Sequence, residues 1–143
     1  MIRSATLRDL DAIQRLLKSQ NLPYEDCGSH LQHFLVFETA QQILAVGGLE
    51  VYAQHALLRS LAVTTAHQGQ GLGSTLYVEL KNRALSIGVE QLFVLTETAI
   101  QYFTKREFKQ IDRGDVPDSI KNTKQFSLLC PQTAVVMRLS IPG

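Results

Sequence analysis

The feature that most constrains this chain is a short apolar segment that runs into a glycine-rich loop. The segment spans residues 57–74 and reads LLRSLAVTTAHQGQGLGS. Gly69, Gly71 and Gly73 alternate with larger residues just before a helical pattern begins. Because glycine leaves the backbone unrestricted, the N–H groups of such a loop can converge at the helix N-terminus, where the helix dipole favours an anion. The segment therefore predicts a phosphate-binding loop between a strand and a helix.

Hydrophobic periodicity predicts the elements on either side of this loop. Apolar residues at helical spacing follow Thr6 and end near Ser19, and Thr6 with Asp9 forms a capping-box pattern. Further helices are predicted from the loop to residue 87, with Gly88 as the C-terminal cap, and at 98–106 and 116–126, where Pro117 fits the first turn. Strands are predicted at residues 2–5, 33–38, 43–52, 56–63, 91–96, 108–112 and 134–139.

The order of these elements predicts the architecture. A strand–helix–strand crossover around the glycine loop makes its two strands parallel, whereas the earlier strands are joined by short turns and pair antiparallel. The chain is therefore predicted to fold as an α/β protein with a mixed sheet and helices on both faces. Its 143 residues contain no linker or repeat, which indicates one domain over residues 1–143.

Composition excludes several classes of function. The formal net charge is only +1 and Lys and Arg do not cluster, which argues against nucleic acid or an anionic membrane as a partner. Apolar runs fall short of the roughly 18 residues that span a bilayer, and no signal-peptide pattern is visible, so we expect a cytoplasmic protein. Cys27 and Cys130 are then expected to be free thiols. Edge pairing of the last strands could form a homodimer, but the sequence does not require it.

Three phosphate-loop patterns compete for the glycine segment. A Walker loop needs a lysine before the final Ser or Thr, and Gly73 is followed directly by Ser74. The dinucleotide pattern needs a third glycine where Ser74 stands, and an acidic residue at the end of the next strand, where Thr96 stands. The third pattern, Gln/Arg-x-x-Gly-x-Gly/Ala, is matched in full by QGQGLG at residues 68–73.

With this loop between the LAV strand and a helix, the chain resembles the GCN5-related N-acetyltransferases (GNAT). The resemblance implies a sheet splayed open at the cofactor site, acetyl-coenzyme A as co-substrate, and direct acetyl transfer to an amine. A backbone N–H near Leu61 or Ala62 would polarise the acetyl carbonyl. The strand would lie along the pantetheine arm and the loop would hold the pyrophosphate. The implied cofactor-binding residues are Leu61, Ala62, Val63, Gln68, Gly69, Gln70, Gly71, Leu72, Gly73 and Ser74.

Three further segments resemble narrower groups within that family. ALLRSLAV, LFVLTETA and VPDSIKNTKQFSLLCPQTAVVM are similar to the arsenic-resistance-operon N-acetyltransferases and to the acetyltransferase domain of N-acetylglutamate synthases. Both resemblances imply a small amino acid or amino-acid-like amine as substrate. Two alternatives stay open: an acyl-coenzyme A-binding sensor without turnover, and an acetyltransferase for protein N-termini or lysines.

The sequence offers several candidates for proton transfer. Glu50 is the one carboxylate in the strand ILAVGGLEVY and could accept the ammonium proton, unless it faces solvent. The alternative bases are His33, His55 and His67. The resemblance places Phe103 where the family often has a tyrosine acid, and Glu107 where it has glycine, which leaves Tyr102 as the candidate acid. His30 and His33 have no further metal-ligand pattern, so we expect no metal.

A substrate carboxylate requires a cation. Arg59 interrupts the apolar strand 56–63, and its guanidinium could bind a carboxylate through two parallel hydrogen bonds, unless it is an edge residue facing water. Lys124 and Ser127 lie in the segment that resembles the synthase substrate wall, and they are the other candidate substrate-binding residues, with Arg3 as a further one.

Overall fold

The structure is a computed structural model that describes residues 1–129 and 133–141. These residues form seven strands: β1 (Ile2–Ser4), β2 (Phe34–Thr39), β3 (Gln42–Tyr52), β4 (His55–Val63), β5 (Gln91–Thr96), β6 (Lys109–Ile111) and β7 (Val135–Ser140). The α-helices are α1 (Leu10–Ser19), α2 (Leu72–Ser86), α3 (Ile100–Thr104) and α4 (Asp118–Lys121). Cys27 is a buried free thiol, and Cys130 lies outside the described residues.

The strands form one mixed sheet in the order β1-β2-β3-β4-β5-β7-β6. Neighbours pair antiparallel in β1–β2, β2–β3, β5–β7 and β6–β7, while β4 and β5 pair parallel. The parallel register joins His55–Leu57 to Gln91–Phe93. The predicted mixed sheet, with its parallel pair on either side of the glycine loop and α2, is confirmed.

The chain divides into two compact units. The sequence indicated a single domain, and that remains a prediction. The first unit contains Met1–Glu50 and Leu58–Arg83, and the second contains Val51–Leu57 and Ala84–Gly143. β4 contributes residues to both units.

The core of the first unit lies between α1 and the strands β2, β3 and β4. Its buried residues are Ile13, Leu16, Leu17, Cys27, Phe34, Val36, Val46 and Ala62. Val46 faces α1 in this cluster, while its neighbour Gly47 faces Leu80 of α2. Because successive residues of a strand point to opposite faces, α1 and α2 lie on opposite faces of β3, as predicted.

Two adjacent glycines in β3 make room for large side chains. A Cβ at Gly47 would lie 2.8 Å from Leu80 Cδ1 and 2.9 Å from Leu61 Cδ1, and a Cβ at Gly48 would overlap the ring of Phe34. The nearest neighbours are side chains, and the backbone Cα of Leu61 lies 4.0 Å from a Cβ at Gly47. The register shift of β2–β3 lies elsewhere, between Phe37 and Glu38.

The second unit has its own core, built from β4, β5 and β7 with the segment that contains α4. Its buried residues are Leu57, Phe93, Val116, Ile120 and Val136. Leu92, Phe93 and Val94 are consecutive buried residues of β5, so this strand is covered on both faces.

Local signals placed most element ends within two residues of their observed positions, and the exceptions are the start of α1 and the end of α4. A 3-10 turn (Leu7–Asp9) precedes α1, and the Asp9 carboxylate accepts the Thr6 N–H at 2.8 Å, so the capping box itself is confirmed. α2 ends at Ser86, which leaves Ile87 exposed, because Gly88 turns the chain with a φ of +88°. α3 is shorter than predicted, and Pro117 is the N-cap of α4 instead of lying in its first turn.

Among the described residues, no helix is both long enough and apolar enough to cross a membrane.

Candidate functional site

The glycine loop leaves the end of β4 and enters α2, as the sequence predicted. Gly69 and Gly71 have φ angles of +81° and +83°, and a Cβ at either position would meet no atom within 4 Å. Alternating left-handed residues turn successive N–H groups toward one side, which makes a concave anion-binding surface. Only glycine adopts these angles without strain, so the two glycines are required by the backbone and not by crowding.

Hydrogen bonds on both sides hold the loop in place. The Gln68 amide nitrogen donates to Val63 O at 3.1 Å and to Gln20 Oε1 at 3.2 Å. At the far end, the Thr75 N–H and hydroxyl both donate to Gly71 O, at 3.0 and 2.9 Å. The loop is therefore held at both ends, while Gly69 and Gly71 between them stay exposed.

The electrostatics of the loop favour an anion. No acidic residue occurs between Thr64 and Thr75, and the first N–H groups of α2 have no acceptor within an α-helix. The positive end of the α2 dipole adds to this field. His67 lies in the preceding turn, where its Nδ1 is 3.0 Å from the Thr64 hydroxyl. The loop can hold a phosphate-bearing ligand through backbone N–H groups.

A buried charged cluster lies beside β4 in the same unit. Arg59 donates to both Asp26 oxygens at 2.6 Å, to Glu50 Oε2 at 2.7 Å and to the Ser60 hydroxyl at 2.9 Å. Its remaining N–H points at Cys27 Sγ, 3.9 Å away. A guanidinium has five N–H groups, so every one of them meets an acceptor. The side chains of Arg59, Asp26 and Glu50 are 0%, 4% and 1% exposed.

This geometry changes the interpretation of Arg59. Burial alone would lower its pKa, but the hydrogen bonds and charges of Asp26 and Glu50 raise the pKa above its ordinary value. Burial likewise acts to raise the pKa of Asp26, and Arg59 outweighs it, so that pKa lies below its ordinary value. The sequence suggested that Arg59 binds a substrate carboxylate. In the structure it is bonded to carboxylates of the protein and presents no spare N–H to a ligand.

His30 connects this cluster to solvent. Its Nε2 is 3.4 Å from Glu50 Oε1 and 4.0 Å from Asp26 Oδ2, and its side chain is 27% exposed. Asp26, His30 and Glu50 bring ligand-type atoms within 4.8 Å of one another. Arg59 already bonds both carboxylates, so its positive charge opposes a cation there.

The strand before the loop contains a local irregularity. Ser60 has a φ of +60° although it carries a side chain, which costs about 1–2 kcal/mol relative to a right-handed or extended residue. The three residues that follow are the candidates for lining the pantetheine arm. Ala62 packs in the core against α1, while Leu61 and Val63 are half-buried.

The candidate acid lies in the second unit, on α3. Tyr102 is half-buried, its ring meets Phe103 edge-on at 5.1 Å, and the Arg106 guanidinium lies 3.6 Å from its ring centre. Phe103 is buried against Phe108, so the position that resembles the family's tyrosine acid is a packing residue. Glu107 has a φ of +72°, a conformation that favours the glycine that the resemblance led us to expect.

The remaining candidates lie in separate places. Lys124 is exposed in the segment after α4. Ser127 is exposed in the π-helix that follows (Gln125–Leu129), and its hydroxyl donates to Thr123 O at 2.8 Å. Burial lowers the pKa of His33, with Arg83 and His30 adding to the effect. Two other candidate residues are held by packing or ion pairs. His55 packs edge-on against Phe93, and Arg3 is bonded to Asp9 and Glu38.

The sequence pattern did not mark Asp26 or Ser60, and it marked His30 only as one of two histidines without further metal ligands. Asp26 and His30 are the N-cap residues of two short 3-10 turns between α1 and β2, where no periodicity marks a function. A carboxylate and a histidine four residues apart were the signal available, and it is a weak one.

Comparison with known proteins identifies the family. The model of the acetyltransferase (GNAT) domain matches residues 30–110, more than half of the chain. The chain belongs to the acetyltransferase (GNAT) family. Among curated relatives, this GNAT chain is 27% identical over 126 residues to an amino-acid acetyltransferase of Pasteurella multocida, covering 82% of the chain but only 29% of that protein. It therefore spans less than a third of that relative's length.

Solved structures share the fold of this GNAT chain. N-acetylglutamate synthase from Neisseria gonorrhoeae, complexed with coenzyme A and L-arginine, has a TM-score of 0.85 and 21% identity over the whole of this chain and 33% of its own. Rv2747 from Mycobacterium tuberculosis, in complex with CoA and NLQ, has a TM-score of 0.82 and 21% identity, with 99% of both chains covered. At this identity the likeness shows the fold alone.

Proposed function

We propose that this GNAT domain transfers the acetyl group of acetyl-coenzyme A to the amine of an amino acid or amino-acid-like substrate. The observation that carries the proposal is the glycine loop, Gln68–Ser74, an anchored and exposed anion cradle at the start of α2. Its backbone N–H groups would bind the cofactor pyrophosphate, and Leu61–Val63 would lie along the pantetheine arm. The name of the Pasteurella relative supports an amino acid as acceptor.

Different residues are proposed for the two proton transfers of the reaction. As the amine attacks the thioester carbonyl, the C–N bond forms, the C–S bond breaks, and the amine loses a proton. Glu50 accepts that proton in the proposal, through Oε1, which lies 3.4 Å from His30 Nε2, while Oε2 accepts a hydrogen bond from Arg59. His30 then passes the proton to solvent, since it is the exposed member of the pair.

The released thiolate takes up one proton, so the reaction balances. Tyr102 is the proposed donor, held in orientation by Phe103 and Arg106. Thiols have an ordinary pKa near 8.5, so water can replace a lost donor in part, and the loss of the donor should have a modest effect on the rate.

Tyr102→Phe should lower kcat roughly tenfold. Tyr24→Phe is the matched control, because the Tyr24 ring also lies beneath a cation, that of Lys18. Equal rates for the two variants would remove Tyr102 from the mechanism.

An acceptor panel that follows thiol release tests the proposed function. Each amino acid is compared with its carboxamide and with the amine that lacks the carboxyl group, at fixed acetyl-coenzyme A. We expect turnover with at least one amino acid and a higher KM for its carboxamide. Turnover only with peptides or lysine side chains would contradict the substrate class.

A second candidate function is an acyl-coenzyme A sensor that binds without turnover. Phe103 favours it, because a buried phenylalanine stands where the resemblance places a tyrosine acid. Calorimetry separates the two candidates. Tight binding of acetyl-coenzyme A with no thiol release from any acceptor supports the sensor and excludes the enzyme.

A further inference from the structure

The left-handed residue in β4 is coupled to the buried charged cluster. Ser60 has a φ of +60° and is 7% exposed. In a regular strand, neighbouring side chains point to opposite faces of the sheet. The Arg59 Nε–H nevertheless donates to the hydroxyl of the next residue, Ser60, at 2.9 Å. The left-handed conformation of Ser60 and this hydrogen bond therefore occur together: with the alternation broken, the Ser60 hydroxyl lies within reach of the Arg59 side chain.

Arg59 is itself immobilised. Its two terminal nitrogens bond Asp26 and Glu50, which reach it from a turn and from β3, and its side chain is fully buried. The Phe34 ring lies 5.8 Å from the guanidinium carbon and closes one side. A buried guanidinium with all its donors used cannot rotate without leaving a carboxylate unpaired, which is unfavourable in the interior.

Ser60 immediately precedes the residues proposed to meet the cofactor. A left-handed residue in a strand interrupts the ladder and re-aims the backbone groups next to it. Leu61 follows Ser60, and the resemblance implies that an N–H at Leu61 or Ala62 polarises the acetyl carbonyl. Of the two, the Leu61 N–H belongs to the peptide unit that joins Ser60 to Leu61. The direction of that N–H thus depends on the conformation of Ser60.

We propose that Asp26, Arg59 and Glu50 form a positioning cluster that holds Ser60 in its left-handed conformation and so aims the Leu61 N–H at the acetyl oxygen. This inference rests on the proposed function and deepens it. Arg59 acts through Ser60 and the backbone; it does not touch the substrate. Glu50 has two parts in this account, one oxygen for Arg59 and one for the proton.

The first experiment varies Ser60, because glycine tolerates the observed φ and a β-branched residue does not. Bound acetyl-coenzyme A labelled with carbon-13 at the carbonyl is followed by infrared spectroscopy. A hydrogen bond from Leu61 lowers the carbonyl stretching frequency, and this readout needs no acceptor amine. We expect Ser60→Gly to keep the lowered frequency and Ser60→Val to lose it while coenzyme A still binds.

Turnover should follow the same order. Ser60→Gly is expected within about threefold of the parent kcat, and Ser60→Val is expected to lose roughly a hundredfold, as when one oxyanion donor is removed. An unchanged frequency and kcat in Ser60→Val, confirmed as folded by circular dichroism, would overturn the inference. If the parent binds acetyl-coenzyme A without turnover, the proposed function fails, and the infrared result still decides on the positioning cluster.

The second experiment links Arg59 to Ser60. Arg59→Lys keeps the positive charge beside Asp26 and Glu50, so neither carboxylate is left without a cation. It removes the Nε donor and the planar guanidinium. We expect kcat to fall about tenfold or more with KM for the amino acid unchanged, and Ser60→Gly in the same chain to restore most of kcat. A raised KM without a change in kcat would make Arg59 a substrate ligand and would contradict the inference.

Discussion

Asp26 and Arg59 are joined by two parallel hydrogen bonds of 2.6 Å, although 33 residues separate them in the sequence. Bidentate pairs of this kind fix both partners in distance and in plane. The pair joins a turn that lacks regular structure to the middle of β4, the strand that leads into the glycine loop. Arg59, which the sequence suggested as a ligand for a substrate carboxylate, therefore binds a carboxylate of the protein itself.

The two carboxylates that bind Arg59 allow a matched test of the proton acceptor. Glu50→Gln and Asp26→Asn each remove one negative charge beside the same guanidinium. Glu50→Gln also removes the proposed base, so kcat should fall about a hundredfold or more, and the remaining rate should increase with pH as more of the substrate amine becomes neutral. Asp26→Asn should retain the pH profile of the parent protein, even if its rate is lower. Identical pH profiles for the two variants would contradict the role of Glu50.

The loop glycines should be required for binding and not for folding. Gly71→Ala places a side chain at a φ of +83° in open space, so the backbone must leave the left-handed conformation and re-aim its N–H groups. We expect acetyl-coenzyme A affinity to fall at least tenfold in calorimetry, about 1.4 kcal/mol, with little change in melting temperature. Gly114→Ala, at an exposed glycine without positive φ or close neighbours, is the control. Equal affinity for the two variants would show that the loop does not hold the cofactor.

The parts of the molecule that sequence predicted correctly depend on local signals. The capping pair Thr6–Asp9 and the strand–glycine loop–helix segment each lie within a few consecutive residues. A glycine pattern or a capping residue reports its own backbone conformation, so it can be recognised without knowing the fold.

The buried cluster could not be predicted because its partners are distant in sequence. An arginine in an apolar strand indicates only that its charge either pairs with another group or reaches water. In the structure Arg59 is paired, with Asp26 from a turn and with Glu50 from β3. Ser60 gave no signal at all, since serine, unlike glycine, does not mark a left-handed conformation. Its φ of +60° accompanies the hydrogen bond from Arg59, a contact that only the tertiary structure shows.

Lys124 becomes the main candidate for binding a substrate carboxylate once Arg59 is assigned to the cluster. It is exposed in the segment after α4. Lys124→Ala should raise KM for the amino acid about fivefold and leave KM for acetyl-coenzyme A unchanged, since an exposed charge pair contributes about 1 kcal/mol. Lys121→Ala is the control from the same segment, because that ammonium donates to Gly114 O at 3.3 Å. Similar KM values in both variants would exclude Lys124.

The pH dependence of stability should include a contribution from Asp9. Hydrogen bonds from Arg3 lower its pKa to about 2, so the folded state keeps a carboxylate that the unfolded chain protonates near pH 4. The contribution is therefore complete above about pH 5 and is lost as the pH falls toward 2. Allowing for the partial exposure of Arg3, it amounts to about 1 kcal/mol.

Urea unfolding between pH 3 and pH 7 measures this contribution. Asp9→Asn should be less stable than the parent at pH 7, and the difference should shrink as the pH is lowered. Asp11→Asn is the control, because its ion pair with Arg15 is exposed on both sides. A difference between the parent and Asp9→Asn that stays constant with pH would contradict this account of the Arg3–Asp9 pair.

The central claim is that the glycine loop binds acetyl-coenzyme A for transfer to an amino acid amine. The most direct measurement is thiol release from acetyl-coenzyme A by the purified protein across an amino acid panel that includes glutamate, run in parallel for the parent and Gly71→Ala. We expect turnover by the parent with at least one amino acid, and a KM for acetyl-coenzyme A at least tenfold higher in the variant. Thiol release that is no faster than in protein-free buffer for every amino acid would contradict it.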